Sequence, residues 1–77
     1  MTKEERAFFV GCDSFKNYTS IDEYIVDIIR YLTLSSWHYS ETEAKELIER
    51  DKNYIKDCFK KKEPVADVAV DVGYCCG

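Results

Sequence analysis

Residues 20–34 read SIDEYIVDIIRYLTL, and this stretch decides the fold. Ile21, Ile25, Ile28 and Leu32 recur at three- and four-residue intervals, as one face of an α-helix does. Tyr24, Ile29 and Tyr31 widen that face. Ser20 and Glu23 have the spacing of a capping box, in which side chains and backbone satisfy each other's orphan N–H groups. Asp22 and Glu23 stand in the first turn, where the helix dipole favours negative charge. The pattern predicts a helix over Ile21–Leu34, hydrophobic enough to sit at the centre of a core.

Working outward, Ser40 with Glu43 and Thr2 with Glu5 repeat the same capping spacing. After Ser40, an apolar face runs through Ala44, Leu47, Ile48, Tyr54, Ile55, Cys58 and Phe59, predicting one long helix from Glu41 to about Lys61. Its other face carries Glu41–Lys45, Glu46–Arg50 and Asp57–Lys61 at i,i+4. Asp51 interrupts the apolar face at its midpoint, either at the edge of that face or paired there. Thr2 opens a first helix over Lys3 to about Val10, with Gly11 as the expected stop. Because Phe8, Cys12 and Phe15 keep helical spacing, a continuation past Gly11 stays open. Pro64 suits the first position of a fourth helix, Val65–Val72, which Gly73 would close. The alternation of residues 68, 70 and 72 leaves a strand as the competing reading of that segment.

The expected fold is therefore all-α, a single small four-helix domain over residues 1–77. An antiparallel hairpin of helices at about 21–34 and 41–61 forms its body, and the short N- and C-terminal helices cover the open side. So short a chain is marginally stable as a rule, and Trp37, four phenylalanines and six tyrosines supply large apolar area in compensation. A bundle this small gains from a partner or a second copy that finishes its core.

The net charge of −4 argues against a general nucleic-acid binder, which needs a surplus of Lys and Arg on one face. No stretch approaches the length of a transmembrane span. The charged start, Met1 to Arg6, leads into an apolar run, Ala7–Val10, that is too short for a signal peptide. These features predict a cytoplasmic protein with reduced thiols. In that setting the Asn17-Tyr18-Thr19 sequon is a chance match.

Among residues with chemistry to offer, Cys12, Cys58, Cys75 and Cys76 have the right count for zinc, and His38 could replace one of them. Their spacing lacks the paired thiolates of a zinc site, so no metal or cofactor is expected. Cys12 and Cys58 lie on apolar faces as small hydrophobes. Cys75 and Cys76 follow a helix C-terminus, whose partial negative charge works against a reactive thiolate. The sequence carries no glycine-rich phosphate loop, and no nucleophile stands in a recognisable relation to His38. We therefore expect no enzyme. Candidate partner-binding residues are Trp37, His38 and Tyr39, an aromatic-rich link between the hairpin helices, and the basic run Lys60, Lys61 and Lys62. Trp37 has a competing role as a plug between those helices, and the lysines have one as complements to a helix dipole.

Residues 64–77 read PVADVAVDVGYCCG. Through Val65, Val68, Ala69, Val72, Gly73 and Tyr74 this string resembles the first helix and turn of the helix-turn-helix of AraC-type transcription regulators. The resemblance implies a second helix to enter the major groove, and the sequence stops at Gly77 before one. The adjacent terminal cysteines are similar to the ends of Rab-type GTPases in those two letters alone, without a polybasic flank. Two functional expectations follow. The first is a non-enzymatic helical interaction or structural module that binds a protein partner or forms a homodimer. The alternative is a small nucleic-acid-associated regulator that uses the helix-turn-helix-like tail with the lysine run.

Overall fold

The computed structural model describes residues 2–34 and 39–74. Five helices follow in order: α1 (Lys3–Gly11), α2 (Ile21–Leu34), α3 (Glu41–Arg50), α4 (Lys52–Lys60) and α5 (Val65–Tyr74). There is no strand among the described residues, and the domain is all-α as the periodicity predicts.

Helix α2 is the hub, packing against α3, α4 and, most extensively, α5. Its innermost line is Tyr24, Ile28 and Leu32, all fully buried, while Ile21 and Ile25 of the expected stripe are only half-buried. Val65, Val68, Ala69 and Val72 of α5 are buried against that line, and Ala44, Leu47, Ile48, Ile55 and Cys58 approach it from α3 and α4. Each fully buried valine, leucine or isoleucine among them contributes about 1.5–3 kcal/mol. From α1, Phe8 enters the core and Phe9 sets its ring edge-on to Tyr31 of α2 at 4.9 Å. The connection after α1 adds Phe15 and Tyr18, whose rings stand 5.8 and 5.3 Å from that of Tyr24.

The long helix expected over Glu41–Lys61 is two helices that meet at Asp51, where φ is −105° and ψ is 24°. The backbone stays bonded through the bend, Asp51 N–H to Leu47 O at 3.1 Å and Ile55 N–H to Asp51 O at 3.0 Å. Neighbours in sequence do not face each other on a straight helix. Here the Arg50 guanidinium forks onto the Asp51 carboxylate, with Nε at 3.2 Å and Nη2 at 2.8 Å, and that meeting accompanies the bend. Arg50 therefore turns to Asp51 where i,i+4 spacing offers Glu46; Glu41–Lys45 closes as expected at 3.2 Å. Tyr54 also leaves the expected apolar face: it is 44% exposed and its hydroxyl bonds the Asp71 carboxylate.

Capping follows the sequence at Thr2 and Ser40, where both halves of the box are made. At α2 half of the expected box is made, with the Glu23 N–H on Ser20 Oγ at 3.5 Å, while the Glu23 carboxylate accepts from the Thr19 N–H at 3.2 Å, one residue upstream of Ser20. Helix α4 ends in a Schellman motif. Glu63 N–H donates to Cys58 O at 2.9 Å and Lys62 N–H to Phe59 O at 3.1 Å, with Lys62 left-handed at φ 58°. The Tyr24 hydroxyl donates to the Glu63 carbonyl at 2.7 Å, which fixes that turn over the core. At the start of α5, the Ala66 N–H donates to the Cys12 carbonyl at 3.0 Å and the Val68 N–H to the Pro64 carbonyl at 3.3 Å. Gly73 is no stop: α5 runs through it to Tyr74.

Candidate docking surface

With 3.6 residues per turn, Val26 lies about 200° round the helix from Tyr24, on the side of α2 turned away from the core. It is 60% exposed, an aliphatic side chain in the middle of a solvent face. Asp22, Val26 and Arg30 stand at successive four-residue steps and form one ridge; all are exposed.

A hollow flanks that ridge on each side. Towards α3 and α4, Ile25, Ile29 and Ile48 floor a groove of about 340 Å³, with Asp22 and Glu49 as acids and Lys45 and Lys52 as bases on its rim. On the other side Tyr18 and Val26 floor a shallower hollow beside Asp22, Glu23 and Asp27. The Tyr18 hydroxyl donates to Asp27 Oδ2 at 2.6 Å, and Lys16 Nζ stands 3.9 Å from the same oxygen. Burial and that carboxylate push the Tyr18 hydroxyl well above the usual phenol range, so it remains a donor at neutral pH.

Among the residues singled out from sequence, Trp37 and His38 lie outside the described residues. Tyr39 is half-buried against the core, and its hydroxyl donates to the Gly73 carbonyl at 3.1 Å. Lys60, Lys61 and Lys62 are exposed and fan round the end of α4 through its cap and left-handed residue. Arg50, noted at first as one of an i,i+4 pair, also reaches the Val72 carbonyl at 3.2 Å, joining the α3–α4 bend to the end of α5.

Cys12 and Cys58 are free buried thiols. Burial pushes the Cys12 thiol up to about 11 and raises Cys58 as well, which keeps both protonated and poorly nucleophilic. Cys75 and Cys76 lie outside the described residues. Among the described residues no group of His, Cys, Asp and Glu could hold a metal ion, and no helix is long and apolar enough to cross a membrane.

Val26 stands outside the apolar stripe at 21, 25, 28 and 32 by which the sequence defines the helix. The signal was present: α2 has more apolar residues than one buried face can hold.

No protein-family model, curated protein or solved structure matches the chain.

Proposed function

We propose that the chain is a non-enzymatic helical interaction module that offers the outer side of α2 to a protein partner. The observation that carries this reading is the groove floored by Ile25, Ile29 and Ile48 beside the exposed Val26 ridge. Apolar floors with charged rims are the usual anatomy of a protein interface. Cytoplasmic placement belongs to the same reading and draws support from Cys12 and Cys58, which are buried as free thiols.

The nucleic-acid reading draws less support. Its turn glycine lies inside α5, and the lysine run has a structural role as the cap of α4. Salt-dependent binding to duplex DNA would favour it over ours.

The test of the interaction reading is a photo-crosslinking amino acid placed at position 26 in cells, with position 56 on exposed α4 as the control. Discrete protein adducts from 26 and none from 56 are expected. Equal labelling from both, or none from 26, defeats the reading.

A further inference from the structure

The ridge on α2 is self-complementary about its own midpoint. Asp22 and Arg30 stand four residues to either side of Val26, one anionic and one cationic. Neither has an oppositely charged side chain within ion-pair distance among the described residues. Arg30 lies with its guanidinium carbon 4.7 Å from the ring centre of Phe8 of α1, a cation–π contact, and its charge is also among those that favour the Glu5 carboxylate.

We propose that a second copy of this chain docks antiparallel on the outer face of α2, about a two-fold axis level with Val26 that passes between the Asp22–Val26–Arg30 ridge and the groove beside it. This rests on the interaction reading above and names its partner. Three features specify the geometry. Ridges of i±4 residues pack into the grooves beside the same ridges of a second helix, the commonest class of helix packing. The groove floored by Ile25, Ile29 and Ile48 lies next to the Asp22–Val26–Arg30 ridge, so each copy offers one ridge and one groove. A two-fold interface uses the same patch twice, so residues n places before Val26 in one copy lie level with residues n places after it in the other. Val26 of each copy then seats in the apolar groove of the other. Asp22 of each copy faces Arg30 of the other, so the charge pair is made twice.

The closing experiment is light scattering after size exclusion, in reductant, over a concentration series. The wild-type chain is expected at twice its own mass at the upper end. Asp22→Arg and Arg30→Asp each put like charges face to face at two symmetric places, which weakens the dimer by about tenfold or more. Each variant alone is expected to run as a monomer. Mixed in equal amounts they restore opposite charge at both places, and the dimer mass returns; the double variant D22R/R30D dimerises alone for the same reason. Recovery on mixing cannot come from damaged folds, and far-ultraviolet circular dichroism of each variant checks the helices directly.

A wild-type chain that stays monomeric throughout overturns the proposal, as does a dimer indifferent to both reversals. The crosslink from position 26 separates this failure from failure of the broader reading. An adduct with another protein leaves the interaction module standing without self-pairing, whereas no adduct together with a monomer removes both.

Discussion

The Tyr39 hydroxyl lies 3.1 Å from the carbonyl of Gly73 and ties the entrance of α3 to the last turn of α5. The final carbonyls of any helix lack partners within it. Here two are served from elsewhere in the chain, Gly73 by Tyr39 and Val72 by Arg50 Nη2 at 3.2 Å. Helix α5 buries four apolar side chains against α2, so its end is anchored by polar contacts where its apolar stripe stops.

That anchoring predicts the effect of Tyr39→Phe, which keeps the ring and removes the donor. A net hydrogen bond of this kind contributes about 1 kcal/mol. Urea unfolding is expected to show a lower midpoint at unchanged slope, with faster amide exchange confined to the end of α5. A midpoint equal to wild type would mean that water serves Gly73 as well as the tyrosine does.

Lys62 predicts a stabilising substitution. It occupies the left-handed position of the Schellman motif at φ 58°, where a side chain is strained and glycine is usual. Relief of about 1–2 kcal/mol of strain is partly offset by the greater freedom of glycine in the unfolded chain. Lys62→Gly is therefore expected to gain about 0.5–1 kcal/mol in thermal or urea unfolding. Lys62→Val moves the other way, because a branched side chain fits that backbone worst. A loss on Lys62→Gly would mean that the ammonium beside the end of α4 outweighs the backbone strain.

Alkaline pH exposes the buried thiol. The ordinary thiol value of 9.0 rises to about 11 for Cys12 in the fold, because burial disfavours the thiolate. A raised folded value means that the native state holds its proton longer than the unfolded chain does. Stability from this group is complete below pH 9.0 and is lost as pH rises towards 11. Cys58 shifts in the same direction, and the buried phenol of Tyr24 adds its own loss above its ordinary value of 10.0. The melting temperature of wild type is expected to fall with pH from about pH 9. In Cys12→Ala the fall over this window is shallower, although the variant starts lower for lack of packing. Parallel curves for the two proteins would rule out Cys12 as the source.

Much of this was legible in the sequence. The spacing of apolar residues located α2 within its observed bounds, and the Thr2 and Ser40 boxes located the starts of α1 and α3. What escaped were positions where a tertiary contact overrides a local preference. Asp51 reads as a blemish in a long helix, and nothing local says that Arg50 reaches both it and the end of α5. Gly73 reads as a stop, yet the backbone there stays helical with its carbonyl bonded by Tyr39, thirty-four residues away in sequence. Of the candidate binding residues, Tyr39 bonds the Gly73 carbonyl, and the exposed Val26 lies opposite the inner line of Tyr24, Ile28 and Leu32, a relation that needs the buried face of α2 to be known.

That inner line sets up the sharpest contrast in the molecule, between two aliphatic side chains separated by one residue. Ile28 is fully buried at the centre of the core, and Val26 is 60% exposed. Ile28→Ala removes buried methyl groups and leaves a cavity that packed neighbours fill only in part, a loss of about 2–5 kcal/mol. Val26→Ala, measured in dilute solution where the chain is monomeric, is expected to stay within about 0.5 kcal/mol of wild type. Urea unfolding of both variants measures the difference directly. Comparable losses would place Val26 in the folding core and remove the outer face of α2 as a docking surface, because a side chain already covered within the monomer has nothing left to offer a partner.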